Sequence, residues 1–333
     1  MYNMYYHCSL ISNAMNYLLL TLSENIWAIE PNFALTLMSE LERLLPQAKF
    51  AQLPEPVECM NVAAKNANIV PYQIDPRTEV ISFESAPKGS IASVSLRGVM
   101  TKHNQFCGPV GCETIGSRIL TADRHKNIAG TILIVESGGG SVSAINPIID
   151  ALSACKKPTA IFIDDVAASA ALMITPYADV VMARHQMARI GSLGVMGMYQ
   201  NDDKKLDSQG VKLYSYYSKY SISKNKTEIE ASQGNGELVL NKVIDPICRS
   251  LLTQYAAKRG AKLRDNLETF MSHIDFGSLD FIRPDNVFTG EMFFAHQCLP
   301  ESGNGLIDSI GSIGQCAEQL LTLTHSQFKI STK

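Results

Sequence analysis

"TILIVESGGGSVSAINPIIDALSAC", residues 131–155, decides the fold. Its first seven residues are an almost unbroken apolar run that ends at a glycine cluster, the pattern of a strand buried on both faces. From Ser141 the period changes, and Val142, Ile145, Ile149 and Leu152 fall along one face of a helix. A buried strand, a glycine turn and an amphipathic helix make up the first half of a βαβ unit.

The same alternation extends in both directions. "SIASVSLRGVM" (90–100) reads as a strand, and "TAIFID" (159–164) and "DVVMA" (179–183) read as buried strands. "AASAALMITPYA" (167–178) is helical until Pro176, "VKLYSYYS" (211–218) reads as a further strand, and "GELVLNKVIDPICRSLLTQYAAKRG" (236–260) as a long helix containing Pro246. Strands that alternate with helices imply right-handed crossovers and a twisted, mainly parallel sheet, an α/β class. Residues 1–45 look helical, with "ALTLMSELERLL" (34–45) at helical spacing, and the Pro-, Ala-, Asn- and Gln-rich residues 46–80 read as a linker. The expected division is a helical N-terminal extension and linker over 1–85 and an α/β domain over 86–325.

Composition narrows the function. The chain has 333 residues, 46% hydrophobic and 18% charged, with a net charge of −3. There is material for a large core and no basic footprint for nucleic acid. The apolar run "NYLLLTL" (16–22) is too short to span a bilayer, and no Lys or Arg precedes Arg43 to form a signal peptide's charged region. A soluble, cytoplasmic protein is expected. Eight cysteines are scattered, only Cys107 and Cys112 being close, without zinc-ligand spacing. They read as reduced thiols, and neither a metal nor a cofactor is expected.

The chemistry lies in two strand-to-helix turns. In "DDVAASAALM" (164–173) a lone hydroxyl, Ser169, sits among methyl groups where a helix begins, at the C-terminal end of a strand. α/β sheets commonly place their sites there. The N–H of Ala170 and those of the glycine turn "SGGG" (137–140) come from adjacent turns, and two such donors make an oxyanion hole for acyl transfer. A serine nucleophile needs a base. None of the seven histidines sits in a triad-like context; His185 lies in a loop, "ARHQMARIG". A buried lysine, which loses charge more readily, is the alternative, and Lys219, Lys224 and Lys226 in "SKYSISKNK" (218–226) are the candidates. Spacing alone does not choose among them.

The ordered motifs "ILIVESGGGSVSA", "FIDDVAASAALMITPYADVVMA", "RIGSLGV" (189–195), "YSKYSISKN" and "FTGEMFFAHQCLPESGNGLIDSIGS" (288–312) resemble the signal peptide peptidase A (SppA)-like serine peptidases over about residues 88–322. They are most similar to the branch found in phage and prophage head-assembly modules, which "ENIWAIEPNFALTLM" (24–38) also resembles. The resemblance implies a Clp protease/crotonase-like fold of repeated ββα units and a Ser-Lys dyad. It matches Ser169 to the nucleophile and Lys224 to the base, with Lys226 and Lys219 as alternatives. Gly140 and Ala170 would supply the oxyanion N–H groups, while Gly138, Gly139 and Ser192 would line the substrate. Gly138 replaces the family's usual proline. The resemblance further implies an extended polypeptide substrate, a ring-like homo-oligomer, and capsid, scaffold or portal proteins as partners in the cytoplasm or the prohead. A general peptide-degrading enzyme, a catalytically silent scaffold and a crotonase-type acyl-CoA enzyme are the competing readings.

Overall fold

In a computed structural model, residues 26–29, 62–64, 67–71, 73–74, 81–105, 109–199 and 201–331 are described. The strands are β1 (Ile26–Ile29), β2 (Val62–Ala64), β3 (Ala67–Pro71), β4 (Gln73–Ile74), β5 (Ile81–Ser82), β6 (Ser90–Arg97), β7 (Ile128–Ser137), β8 (Gly139–Ser141), β9 (Thr159–Ala168), β10 (Val180–Ala183), β11 (Arg189–Gly191), β12 (Met196–Gly197), β13 (Met292–Phe294) and β14 (Ser309–Ile310). The helices are α1 (Cys112–Arg124), α2 (Ile145–Ala154), α3 (Ala170–Met173), α4 (Asp203–Ser208), α5 (Lys226–Ser232), α6 (Glu237–Val239), α7 (Asp245–Arg259), α8 (Leu267–Asp275) and α9 (Ile313–Ser331).

β7 is the middle of the main sheet, whose order is β13-β11-β9-β7-β6-β3-β2, with β10 joined to β9 and β14 to β10. β3, β6, β7, β9, β10 and β11 pair in parallel. The unbroken apolar run of β7 has a simple cause. Leu133 and Val135 face one layer with Ile115, Ile119, Ile145 and Ile148 of α1 and α2. Ile132 and Ile134 face the other, against Cys316, Ala317 and Leu320 of α9. Both faces are covered, so alternation disappears from the sequence. This is the mainly parallel α/β architecture that the sequence predicts.

β9 serves two neighbours along one edge. Its first half pairs with β10, Val180↔Ala160 to Ala183↔Ile163, and its end with β11, Arg189↔Val166 to Gly191↔Ala168. Between them the register with β7 shifts: Val135 opposes Ile163, but Ser137 opposes Ala167. β9 therefore bulges at Asp164–Val166, and a bulge re-aims the side chains beyond it. Here that side chain is Ser169. Asp164 is held at the bulge by Arg97 (3.1 Å) and Arg184, and Arg97 also reaches Glu136 at 2.7 Å.

Several expectations are corrected. Ile26–Ile29 is a strand, although residues 1–45 read as helical; the expected helix at 34–45 lies outside the described residues. Residues 62–71 supply the edge strands β2 and β3 to the main sheet, β3 beside β6, although they read as linker. "VKLYSYYS" forms no strand. Its alternation is real, but no described strand offers it an edge, and Leu213, Tyr214 and Tyr216 are 75%, 72% and 91% exposed. The helix over 236–260 is divided. Pro246 has no N–H to return to the preceding turn, so a π-helical turn at Leu240–Ile244 intervenes and α7 restarts with the proline in its first turn. No described helix is long and apolar enough to cross a membrane.

Arg259 of α7 is 3% exposed and ties the C-terminal segment to the sheet. It donates to the Gly305 carbonyl at 2.9 Å and pairs with Asp308 at 3.0 Å, whose other oxygen accepts the Val181 N–H at 2.8 Å. Lys262 also pairs with Asp308, at 2.7 Å, so the cost of losing Arg259 lies in the buried Gly305 carbonyl left without its donor, the lost ion pair and the cavity left by a long side chain. Arg259→Ala is expected to lower unfolding stability by about 3 kcal/mol in urea titrations; a loss within the error of the titration would refute the role given to this pair.

Candidate active site

Ser169 follows β9 and precedes α3 with φ 54° and ψ −119°, a backbone conformation that side chains disfavour. Strand-to-helix turns that project a nucleophile carry this kind of strain. It persists because both sides of the peptide are tied. The Ser169 N–H donates to the Gly191 carbonyl at 3.0 Å, and its carbonyl accepts the N–H groups of Leu172 and Met173, both at 2.9 Å. Ser169 is 2% exposed, between Ala168 and Ala170, which are fully buried. The small residues are needed because the turn is packed on every side. Among the described residues, no hydrogen-bond partner is found for its hydroxyl.

The glycine turn is built from its neighbours. The Ser137 hydroxyl donates to the Gly98 carbonyl at 2.6 Å and accepts the Gly139 N–H at 3.1 Å. Met100 then bridges to Gly140 in parallel: its N–H donates to the Gly139 carbonyl and its carbonyl accepts the Ser141 N–H, both at 2.9 Å. Peptide groups alternate in direction along a strand. With Gly139 C=O and Ser141 N–H turned to Met100, the Gly140 N–H is turned to the opposite edge. A β-carbon at Gly140 would lie 2.1 Å from the Met100 carbonyl oxygen, so only glycine fits. Gly138, Gly139 and Gly140 are all buried. α3 packs against β8, which brings the Ala170 end of that helix beside the glycine strand. The first N–H groups of a helix have no partner within it.

Ser192, half-buried, also has φ 54°, and its N–H donates to the Glu291 carbonyl at 2.8 Å. Gly191, beside it, has φ 150°, and a β-carbon there would meet the Glu291 carbonyl oxygen at 2.2 Å. This glycine, which holds Ser169 in place through its carbonyl, is the residue that sequence reasoning missed; the G-S-L-G spacing in "RIGSLGV" was the available signal. Lys224 is exposed, in a turn where its N–H donates to the Ser221 carbonyl at 3.0 Å. Lys226 lies 3.7 Å from Glu230, and the Lys219 ammonium sits 5.0 Å from the Tyr220 ring centre. The structure brings none of the three into hydrogen-bond contact with Ser169 within one chain. His185 pairs with Asp165 at 3.5 Å, and His103 and His125 pair with Glu113 and Glu84.

Among the described residues no group of His, Cys, Asp and Glu is arranged to hold a metal ion. Cys112 is buried and free, while Cys107 lies outside the described residues. Burial pushes the thiols of Cys112, Cys298 and Cys316 up to about 12.

Glycine adopts positive φ at no steric cost, so Ser169→Gly is expected to be more stable than Ser169→Ala by about 1 kcal/mol in thermal melts; equal or reversed stabilities would show that the turn is unstrained. Thiolate is the alkylated form of cysteine. At pH 8 Cys112, Cys298 and Cys316 are expected to react with iodoacetamide about 10³-fold more slowly in the folded than in the unfolded chain, as read by peptide mass spectrometry.

No known family profile matches the chain. In sequence it is similar to Protease 4 of Salmonella typhi, 25% identical over 226 residues that cover 67% of this chain and 33% of that protein. The chain thus matches about a third of the length of this curated relative. Among solved structures, it is similar to a membrane-bound stomatin-specific protease in complex with a substrate peptide (TM-score 0.38, 12% identity, 67% of this chain and 76% of that one). Others are an enoyl-CoA hydratase/isomerase family member (0.37, 14%, 76% of each) and a ClpP1 variant from Listeria monocytogenes (0.36, 12%, 66% and 91%). In sequence, the similarity is to the SppA/Protease 4 type of serine peptidase.

Proposed function

We propose that this chain is a serine endopeptidase of the SppA/Protease 4 type, with a Clp/crotonase-like fold. The observation that carries the reading is the strained, buried Ser169 turn that follows β9, beside a glycine strand whose Gly140 N–H is turned away from Met100. In this reading the Ser169 oxygen attacks the scissile carbonyl carbon while its proton passes to the Lys224 amine. The Gly140 and Ala170 N–H groups stabilise the oxyanion. Collapse breaks the C–N bond, and the leaving amine takes the proton from Lys224. Water, deprotonated by the same lysine, then releases the acyl group from Ser169.

Lys224 has to approach Ser169 for this chemistry, and the segment that carries it supports a route. Leu213, Tyr214, Tyr216, Tyr220 and Ile222 are exposed on it, an apolar density that marks protein interfaces. In this reading a second copy packs on the segment and completes the dyad, so the protein acts as a ring-like homo-oligomer. Its substrates are extended polypeptides. The finer assignment, to capsid or scaffold proteins of a phage head within the cytoplasm or a prohead, is supported by the sequence resemblance of residues 24–38 and 88–322 alone.

Digestion of unfolded casein by purified variants tests the reading. Ser169→Ala and Lys224→Ala are expected to lose about 10³-fold or more in rate, with Lys226→Ala close to wild type. Equal rates for wild type and Ser169→Ala would reduce Ser169 to a packing residue. Tyr214→Ser combined with Tyr216→Ser is expected to reduce the sedimentation mass to that of a monomer and to reduce activity in parallel.

A further inference from the structure

β1 lies apart from the main sheet. Its pairings among the described residues are with β8 on one side, Trp27↔Ser141, Ala28↔Gly140 and Ile29↔Gly139, and with β12 on the other, Ile26↔Gly197 and Trp27↔Met196. Both pairings are antiparallel, and the three strands form a sheet of order β12-β1-β8. β8 is the glycine strand, against which α3 packs, and β12 begins five residues after Gly191, whose carbonyl accepts the Ser169 N–H. Remove β1 and two short backbone edges face each other across a slot.

Met100 occupies the opposite edge of β8, so the Gly140 N–H and C=O are turned to Ala28 of β1. An amide so engaged is withheld from any other carbonyl. The edges themselves are glycine-rich, Gly139 and Gly140 on one side and Gly197 on the other. Recognition by such edges runs through main-chain hydrogen bonds and therefore accepts many sequences; it is the geometry of strand addition. A four-residue strand held by two- and three-residue partners is a small contact that another extended peptide can replace.

We infer that Ile26–Ile29 is an internal occupant of the substrate slot, and that the chain is autoinhibited until an extended polypeptide displaces this strand from between β8 and β12. The inference rests on the peptidase reading for the identity of the slot, and it fixes the substrate's direction as antiparallel to β8. An occupant in cis competes at the effective concentration of a tethered ligand. Only substrates that present several residues of extended backbone would then enter readily.

Hydrogen exchange on the full-length Ser169→Ala chain, which holds substrate without turnover, separates the possibilities. Amides of residues 26–29 are expected to be protected without substrate and to lose protection on saturation with unfolded casein, while residues 139–141 stay protected. The variant Ala28→Pro removes the amide that faces Gly140. On an otherwise wild-type background it is expected to cleave casein about tenfold faster at low substrate concentration, with exchange over 128–137 unchanged. Casein binding to Ala28→Pro and not to the parent chain would also support the inference. Exchange of residues 26–29 at the unfolded rate in the free chain, protection that survives saturating casein, or casein binding to neither chain would overturn it. If casein displaces the strand but no variant cleaves it, the peptidase reading falls and the occupied slot stands.

Discussion

Two backbone hydrogen bonds between Met100 and the strand Gly139–Ser141 decide which way the Gly140 amide points. They require the Met100 backbone to approach so closely that no β-carbon fits between. Met100 itself is 1% exposed, close behind β6 and in the same core layer as α1 and α2. The donor is thereby turned to Ala28 of β1, and in the proposed reading it would meet developing charge once that strand is displaced. The aim is set in the core.

The same logic holds Ser169. A positive φ is unfavourable for serine, and such strain persists only where the surroundings over-determine it. Here the Gly191 carbonyl, two N–H groups of α3 and the bulge in β9 do so together. Gly191 in turn needs the close Glu291 carbonyl and its pairing with Met292. The turn is thus held from β9 and its parallel neighbour β11, and through β11 from the antiparallel edge strand β13.

Much of this was readable from residues. β7, β9 and β10 announce themselves because both faces are buried, which leaves apolar runs without alternation, and β6 by its alternation of Ala92, Val94 and Leu96 with Ser93, Ser95 and Arg97. Ser169 stood out because a hydroxyl among alanines at a strand's end has few structural reasons to be there. The features that were not readable depend on distant partners. Whether "VKLYSYYS" is a strand depends on an available edge, and β1, β2 and β3 exist only because far-off edges accept them. The direction of the Gly140 amide depends on Met100, forty residues earlier. Lysine spacing left the base open among Lys219, Lys224 and Lys226, because a side chain on an exposed segment has no local signature of its target.

The tie between Val181 and Asp308 spans 127 residues. Among the described residues β10 finds its second neighbour in β14, and Met182 pairs with Ser309. During synthesis, therefore, the outer edge of β10 emerges long before the segment that closes it. Closing so long a loop carries an entropic penalty and slows folding, and an open strand edge is a template for pairing with other chains. Through that interval the nascent chain carries an unfinished sheet with its apolar α9 face uncovered, a substrate for chaperones and a hazard in their absence. The late-made residues around Asp308 and α9 thus set the time at which the molecule becomes safe from aggregation, well after its site residues have been made.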